Sequence, residues 1–470
     1  MKVDFGKLDR AFNPKVVAVI GDKKDSNYMW IRAQRDFKGK LYSVQIDPAE
    51  IEGIKALGVQ NYTSLLEIPE AVDFAIVAVP RAVALRVLAD LITKKVGAAF
   101  FFTAGFSETG TEEGRALEKR MTDMAEAANF HIIGPNCMGI FSARAGIKQN
   151  AEQYSDTAGP VGFISQSGNH AVNFVQEAHI QGIDVNKVAS YGNGIVLDSA
   201  DYLEYFAADP EIKVIGMYVE GVKNGPRFLN VLREASLRKP VVVWKGGRSD
   251  EGGRAIGSHT GSLAIPQAIW DSAMRQCRAV QVLRQEELID TIKALLYLPP
   301  VSGNRVAAVG GSGGGSVAVA DAFAEAGLRL PPFSRESYDE FASFWTLIGG
   351  GYKNPVDTYN ANRREMKRIL DILGRDTNTD NIVSLFAARH AGPGGGAPLE
   401  AQLSPFVDTN KKIAKPLMAI ITGSSSAQTQ AAALELMTKL QGMGIPAFLG
   451  MERGALALRN AHAYYRMKSA

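Results

Sequence analysis

One local pattern recurs along this chain: a short β-branched apolar run, a Gly/Ser turn and then a helical stretch. It occurs at VVAVIGD (16–22), VGFISQSGN (161–169), RVAAVGGSGGG (305–315) and LMAIITGSSS (417–426). Other apolar runs, such as DFAIVAVP and PVVVWKGG, alternate with helical stretches such as 82–95. Short apolar strands that alternate with helices are typical of parallel α/β sheets. Such sheets bind ligands at the carboxyl ends of their strands, where these turns lie.

The length of 470 residues predicts about three domains, at roughly 150 residues each. Two polar stretches, 148–160 and 299–304, have the composition of linkers. They divide the chain into predicted domains at 1–147, 155–298 and 304–470.

The charge balance excludes several classes of partner. With 52 basic and 49 acidic residues the net charge is +3, and no basic run indicates a nucleic-acid or membrane surface. The two cysteines, Cys137 and Cys277, form neither a disulfide framework nor a metal site, which favours a reducing compartment. The N-terminus has no apolar signal region, and no run of 18 apolar residues occurs. We therefore expect a soluble cytoplasmic protein.

The first turn only partly resembles a dinucleotide site. Asp47, at the end of YSVQID, imitates the acid that holds an NAD ribose, but G-x-G-x-x-G is absent and only Gly21 is in place. Lys23 and Lys24 instead offer positive charge beside an expected helix N-terminus, which suits a phosphate-bearing ligand. The same residues also fit a plain surface turn of a Rossmann-like domain.

Two later turns each precede a helix and predict anion sites. Backbone N–H groups at Ser165, Gln166, Ser167 and Gly168, with the helix dipole and serine hydroxyls, suit a phosphate. Simple N-capping by Ser167 or Asn169 explains them equally well. The turn at 310–316 repeats the arrangement in another predicted domain, and its alternative is a tight turn that needs positive φ. If both are anion sites, two helix starts are expected to face one phosphate.

His259 lies in GSHTGSLA (257–264), after a Gly-rich polar stretch predicted to be a loop. Ser258 and Thr260 beside it can hydrogen-bond a phosphoryl group or the ring. Glu220 ends a strand of the same predicted domain, and a carboxylate that accepts one imidazole N–H makes the other nitrogen a better nucleophile. The alternative is a solvated loop histidine. No second His or Cys stands at ligand spacing, so no metal site is predicted. His390, in another glycine loop, is a candidate for a substrate pocket.

Taken in order, nine stretches resemble the α-type chain of the nucleoside-diphosphate-forming acyl-CoA synthetases, relatives of succinyl-CoA synthetase. The resemblance covers residues from about 15 to 360. The matching stretches are YSVQIDP, DFAIVAVP, TAGFSETG, IIGPNCMGI, GFISQSGN, YVEGVKNGPRFL, KPVVVWKGGRSDEGGRAIGSHTGSLA, GGSGGGSVAVADAFAEAGL and NPVD.

The resemblance implies a CoA-binding Rossmann-like domain followed by two flavodoxin-like parallel-sheet domains. It implies that His259 is a phosphohistidine and that Glu220 orients it. The implied phosphoryl cradles are the helix starts at Ser165, Gln166, Ser167 and Gly168 and at Gly313, Gly314, Gly315 and Ser316. The implied CoA contacts are Gly21, Lys23, Lys24, Val79, Pro80, Gly105, Pro135 and Asn136.

The implied reaction converts acyl-CoA, ADP or GDP and phosphate into a carboxylic acid, CoA and ATP or GTP, through an acyl phosphate and the phosphohistidine. The family also needs an ATP-grasp module that binds ATP/ADP and Mg²⁺. The three predicted domains occupy the sequence, so we do not expect this module on the same chain. We expect that module on a separate β subunit, in a hetero-oligomer. The glycines around His259 are expected to let its loop swing between sites.

Two other classes remain open: a non-catalytic acyl-CoA-binding regulator, and a transferase that uses the same domains on an acyl or carbamoyl phosphate. The absence of the dinucleotide-binding motif G-x-G-x-x-G disfavours a nicotinamide oxidoreductase. The acid, the nucleotide preference, the physiological direction and the stoichiometry are not specified by the sequence.

Overall fold

The structure, a computed structural model, describes most of the chain as helices and strands in three sheets. The described residues are 3–259, 265–311, 313–345, 351–358, 364–388, 399–423 and 426–469. They group into two compact units. The first holds residues 1–179 and 183–283, and the second holds 180–182 and 284–470. No helix in the described ranges is both long and apolar enough to cross a membrane.

The first sheet is all parallel and has the Rossmann strand order. Its strands are β1 (Val16–Ile20), β2 (Lys40–Val44), β3 (Gln60–Tyr62), β4 (Phe74–Val77), β5 (Ala98–Phe101) and β6 (His131–Ile133). Its helices are α1 (Phe5–Phe12), α2 (Met29–Ala33), α3 (Pro48–Ala56), α4 (Arg81–Thr93) and α5 (Glu112–Ala127). The order β3-β2-β1-β4-β5-β6 places a switch point between β1 and β4, where such folds bind ligands.

The second sheet has the flavodoxin order plus one antiparallel edge strand. Its strands are β7 (Ile140–Ser142), β8 (Val161–Ser165), β9 (Val185–Ser190), β10 (Val214–Val219), β11 (Val241–Lys245) and β12 (Val280–Val282). Its helices are α6 (Gly168–Ile180), α7 (Ser199–Ala208), α8 (Gly225–Arg238), α9 (Asp250–His259) and α10 (Gln267–Gln276). The order is β12-β11-β10-β8-β9-β7, and only β7 runs antiparallel to its neighbour. The predicted parallel α/β class is confirmed.

The predicted first boundary cuts through packed structure. β7 belongs to the stretch 1–147 by sequence, yet it pairs with β9 of the second sheet. The predicted linker 148–160 is partly buried rather than solvated: Gln149 donates to the carbonyl of Gly139 at 3.0 Å, and Gln153 accepts from the Gln149 N–H at 2.9 Å. Polar side chains that satisfy one another can be buried, so polarity did not mark a linker here.

The second unit contains a four-stranded parallel sheet in chain order. Its strands are β13 (Val306–Gly310), β14 (Asn381–Ala387), β15 (Leu417–Thr422) and β16 (Ala447–Leu449). Its helices are α11 (Gln285–Tyr297), α12 (Gly314–Glu325), α13 (Arg335–Ala342), α14 (Met366–Arg375), α15 (Leu399–Asn410), α16 (Ala427–Gly442) and α17 (Met451–Ser469). Although α11 precedes the predicted boundary at 298, it belongs to this unit, where its buried Asp290 pairs with Arg453 of α17 at 2.6 Å.

Candidate active site

A pocket of about 440 Å³ opens at the switch point of the first sheet. Five of the predicted CoA contacts line it: Gly21, Lys23, Val79, Pro80 and Asn136. Lys24, Gly105 and Pro135, the other three, are not among its lining residues. The sequence analysis did not single out seven further lining residues: Met29, Trp30, Ala78, Arg81, Phe102, Thr103 and Ala104.

The turn after β1 needs glycine. Gly21 has a φ of +83°, and a Cβ there would lie 2.5 Å from Val79 Cγ1. The next residue, Asp22, is buried and accepts hydrogen bonds from the Ile31 N–H at 2.9 Å and the Ser26 hydroxyl at 3.2 Å. Burial raises the pKa of this carboxyl. Asp22 therefore organises the turn, and it also belongs to the lining of the pocket.

The prediction of a regular helix start beside Lys23 is wrong. A 3₁₀ turn covers Lys24–Ser26, and the five-residue α2 begins only at Met29. Asn27 and Tyr28 between them are both left-handed, which no α-helix accommodates. Any charge assistance at this turn thus comes from lysine rather than from a helix dipole.

Asp47, whose position in the sequence resembles that of an NAD-binding acid, has a structural role. It caps α3 by accepting from the Ala49 N–H at 3.0 Å. Gly105 acts on the pocket indirectly, since its carbonyl accepts from the Arg81 guanidinium at 3.0 Å.

Aromatic rings form one wall of the pocket. The Trp30 and Phe102 rings meet edge to face at 5.2 Å, and Phe102 is exposed although most large apolar side chains are buried. A phenylalanine at the end of a predicted strand, in AAFFFTAG, was the available signal for this wall, and the sequence analysis did not use it.

The loop after β9 supports the Pro135–Asn136 corner. Asn193 donates its N–H to the Pro135 carbonyl at 3.1 Å, and its side chain accepts from the Asn136 amide at 3.3 Å. The Asn193 amide nitrogen also donates to Glu108 at 2.7 Å and to Glu118 at 2.9 Å. The pocket wall is therefore held by a residue of the second sheet, which local sequence could not reveal.

Glu220 lies directly after β10, at the carboxyl edge of the second sheet, and is only 5% exposed. Its carboxylate accepts from the Tyr218 hydroxyl at 3.1 Å. The side-chain oxygen of Gln166 accepts from the backbone N–H groups of Glu220 at 2.9 Å and Gly221 at 3.1 Å. The predicted orienting carboxylate is thus a buried and firmly held group at a ligand-binding edge.

The first predicted phosphate cradle is a capped helix start. The Ser167 hydroxyl accepts from the His170 N–H at 3.4 Å, and the Ser165 hydroxyl donates to the Ser167 carbonyl at 2.7 Å. Gln166 is buried and its side-chain oxygen serves the Glu220 backbone, so it is not an obvious phosphate ligand. Gly168 begins α6, where a Cβ would lie 2.8 Å from Met138. N-capping does not exclude the predicted anion site, because capping satisfies only some of the N–H groups at the start of α6.

The predicted polar loop before His259 is a helix, which corrects the sequence analysis. α9 covers Asp250–His259, and the Ser249 hydroxyl caps it by accepting from the Gly252 N–H at 3.1 Å. The cap and the acidic first turn outweigh three interior glycines. His259 ends this helix. The side chains of Ser258 and His259 lie outside the described residues, as do Thr260 and His390.

The connection from β11 to α9 begins with two glycines, Gly246 and Gly247. Gly247 has a φ of +62°, and a Cβ there would lie 2.2 Å from Ile256 of the helix. The buried Lys245 ammonium donates to the carbonyls of Gly246 at 3.0 Å and Gly247 at 3.3 Å. α9 also contacts the 3₁₀ turn at Ser107–Thr109 of the first sheet's layer. The helix that ends in His259 therefore leaves the sheet one strand from Glu220.

In the second unit, α12 begins at Gly314 with Gly313 as its N-cap. The Gly313 N–H already donates to Asp357 at 2.9 Å. A Cβ on Gly313, Gly314 or Gly315 would meet nothing within 4 Å, so this start is open. The buried Ser316 hydroxyl has no hydrogen-bond partner among the described residues.

The start of α12 opens on a pocket of about 820 Å³. Its lining combines rings, prolines, one cation and one carboxylate: Ser316, Pro332, Tyr338, Gly351, Tyr352, Lys353, Pro355 and Asp357. Within the described ranges, no group of three His, Cys, Asp or Glu side chains has the arrangement of a metal site.

Comparison with known proteins places these features in context. Residues 15–143 match the CoA binding domain family, and residues 158–295 match the succinyl-CoA ligase like flavodoxin domain family. The alpha subunit of acetate–CoA ligase [ADP-forming] II of Pyrococcus furiosus is 36% identical over 383 residues, 80% of this chain and 82% of that one. The alpha subunit of acetate–CoA ligase [ADP-forming] I of the same organism is 32% identical over 98% of both chains.

A solved structure is similar over nearly the whole chain. Acetyl-coenzyme A synthetase 1 of Candidatus Korarchaeum cryptofilum, solved in complex with phosphate and ADP, is 29% identical with a TM-score of 0.83. The match covers 98% of this chain and 97% of that one.

Proposed function

Because this chain belongs to the family of ADP-forming acetate–CoA ligase alpha subunits, we propose that its own residues carry out the CoA-side half of acyl-CoA synthesis. The chain is a subunit of a nucleoside-diphosphate-forming acyl-CoA synthetase, an acid–thiol ligase. The observation that carries the proposal is the buried Glu220, held by Gln166 and Tyr218 at the sheet edge from which α9 leaves toward His259.

The proposed chemistry begins with inorganic phosphate. A phosphate oxygen attacks the thioester carbonyl, the C–S bond breaks, and CoA leaves as a thiolate that takes up a proton. The acyl phosphate then transfers its phosphoryl group to an imidazole nitrogen of His259, and the carboxylate departs. Glu220 accepts the other imidazole N–H and stabilises the charge that the ring gains.

The start of α6 is the proposed donor set for the moving phosphoryl group. Its backbone N–H groups and helix dipole favour negative charge, and preorganised donors are usually a large part of catalysis. In the second unit, we propose that the open start of α12 also donates hydrogen bonds to a phosphoryl group, with the Ser316 hydroxyl as an added donor. Ser258 and Thr260 remain proposed phosphoryl contacts from the sequence.

CoA is the proposed ligand of the pocket at the first sheet. The fit rests on a cation, Lys23, beside a glycine turn that approaches Val79 closely, and on the Trp30–Phe102 wall. Phosphates suit the lysine, and the rings suit adenine or the pantetheine chain.

The nucleotide half is proposed to lie on a partner. Both acetate–CoA ligase relatives above are named alpha subunits, one of them matched over 98% of its length, which supports a separate β subunit. We propose that this partner carries an ATP-grasp module with ATP/ADP and Mg²⁺, and that the complex works in the cytoplasm. Co-purification of the chain with tagged candidate partners tests the assembly.

Phosphoryl delivery to the nucleotide requires His259 to move in this scheme. Since α9 is helical, we place the bend at Gly246 and Gly247 rather than along the whole segment. Gly261, which follows α9 in the sequence, lies outside the described residues; its replacement by alanine is expected to lower overall turnover more than the CoA-side half-reaction. Equal losses would argue against the movement.

The pocket at α12 is the proposed site of the small carboxylic acid. The Lys353 ammonium and the Ser316 hydroxyl suit a carboxylate, and Tyr338 and Tyr352 suit its apolar body. The identity of the acid is left to a substrate panel.

The decisive experiment is intact-mass analysis of the purified chain after incubation with phosphate and a panel of acyl-CoAs, beside His259→Ala. An acid-labile phosphate adduct that is absent from the variant supports the carrier role. No adduct with any acyl-CoA, while CoA still binds, would favour an acyl-CoA-binding regulator or a site that needs the partner. Transfer of the phosphoryl or acyl group to another acceptor without any partner would favour a transferase.

A further inference from the structure

Tyr218 and Glu220 form a buried pair at the end of β10. They are two residues apart along the strand direction, so they project to the same side of the sheet. The Tyr218 hydroxyl lies 3.1 Å from Glu220 Oε1, and the two residues are 7% and 5% exposed. A buried carboxylate is costly unless donors satisfy it. The hydroxyl therefore stabilises this carboxylate in one place.

The Tyr218 ring is itself immobilised by two neighbours. His170, in the first turn of α6, lies 4.6 Å from it at 61°, and Trp244 of β11 lies 4.5 Å from it at 61°. His170 and Trp244 also meet at 4.5 Å. Such tilted and edge-to-face contacts are favourable and directional. The three rings form a clamp that aims the hydroxyl.

Gly246 completes the confinement of the pair. A Cβ on Gly246 would lie 2.6 Å from the Tyr218 hydroxyl oxygen and 3.3 Å from Glu220 Cγ. The backbone after β11 thus packs directly against the pair, and the hydroxyl has little room to rotate away.

The Tyr218 hydroxyl is the hydrogen-bond donor of the pair near neutral pH. Burial and the negative charge and hydrogen bond of Glu220 hold the pKa of Tyr218 well above its ordinary value. The proton therefore stays on the tyrosine, and the carboxylate is the acceptor.

We propose that Tyr218 is a positioning residue, which acts on the reaction only by orienting the Glu220 carboxylate toward the His259 imidazole. This rests on the phosphohistidine chemistry proposed above. Tyr218→Phe keeps the ring and removes one hydrogen bond. A misaimed carboxylate stabilises the charged imidazole less, so the phosphoryl-transfer step slows while ligand binding is retained.

The test measures adduct formation by rapid quench and intact mass, with varied acyl-CoA and saturating phosphate. Tyr218→Phe is expected to lower the maximal rate about tenfold and to change KM for acyl-CoA less than twofold. The matched control is Tyr202→Phe, because the Tyr202 hydroxyl is also fully buried but has no hydrogen-bond partner among the described residues. The control is expected to react at the wild-type rate.

A double variant shows whether Tyr218 acts through Glu220. Tyr218→Phe added to Glu220→Gln is expected to cause no further loss beyond Glu220→Gln alone, since residues that act as one unit are not additive. The proposal would be overturned if the rate losses of the two single variants multiplied in the double variant. A wild-type rate for Tyr218→Phe, or an effect of this variant on KM alone, would overturn it as well. Absence of any adduct in the wild-type chain would instead remove the proposed function. Thermal melting of every variant identifies losses that come from unfolding.

Discussion

The side-chain oxygen of Gln166 accepts the backbone N–H groups of Glu220 and Gly221, at 2.9 and 3.1 Å. Gln166 belongs to the turn after β8, and Glu220 follows β10. The helix start that is the proposed phosphoryl cradle and the carboxylate that is proposed to orient His259 are therefore coupled by one side chain. Displacement of either turn changes the other.

Gln166→Met tests this coupling. The variant keeps the length of the side chain but leaves two buried N–H groups without their acceptor, at a cost of about 2–4 kcal/mol of unfolding free energy. The free energy of unfolding, measured with a denaturant, and the rate of adduct formation are both expected to fall. The exposed Gln60→Met is the control. An unchanged adduct rate in a destabilised Gln166→Met would separate stability from alignment and contradict the coupling.

The neighbouring lysines of the first turn are expected to differ. Lys23 lines the pocket, whereas Lys24 does not, and its N–H donates to Glu50 at 2.7 Å. Lys23→Ala is expected to raise Kd for CoA about fivefold to tenfold, with the effect shrinking at high salt. Lys24→Ala is expected to change Kd less than twofold. Isothermal titration measures both, and equal effects would mean that the lysines act only through general charge.

Gly21→Ala is expected to destabilise the first sheet's layer. The new Cβ meets Val79 at 2.5 Å, and the φ of +83° adds strain, so we expect a loss of about 2–4 kcal/mol. Gly110→Ala has a similar φ of +71° but open space around the Cβ, and about 1 kcal/mol is expected. Urea unfolding gives the difference, and equal losses would mean that the contact with Val79 adds nothing.

The buried His131 predicts a loss of stability in acid. Burial lowers its pKa to about 4, while the unfolded chain keeps about 6.5. The unfolded state therefore gains the proton first, and stability is full above pH 6.5 and falls as the pH drops toward 4. The expected loss from this group between pH 7 and pH 5 is about 2 kcal/mol. His131→Gln, which cannot titrate, should show a shallower decline in urea unfolding; an unchanged slope would assign the acid sensitivity to other groups.

Lys353 tests the proposed acid pocket. Lys353→Met is expected to raise KM for the carboxylic acid at least fivefold in the direction of thioester synthesis, with KM for CoA unchanged. Lys411→Ala, at an exposed site outside the pocket, is the control. A change in KM for CoA instead would assign Lys353 to another ligand.

The parallel α/β class, the positions of the most apolar strands, such as β1, β8, β10 and β13, and the place of Glu220 at a strand end followed from the sequence alone. Each depends on local patterns, since a strand buried on both faces must be apolar along its length and a tight strand-to-helix turn favours small residues. The order of nine short motifs in this one chain was enough to identify the family resemblance.

The tertiary structure decided what distant segments do to one another. It turned the predicted loop before His259 into α9, put β7 into the second sheet, and buried the predicted linker. It also brought Asn193 against the Pro135–Asn136 corner, and it packed His170 and Trp244 against Tyr218, which donates to the Glu220 carboxylate. These outcomes depend on packing and hydrogen bonds between residues far apart in the chain, and such contacts leave no local periodicity to detect.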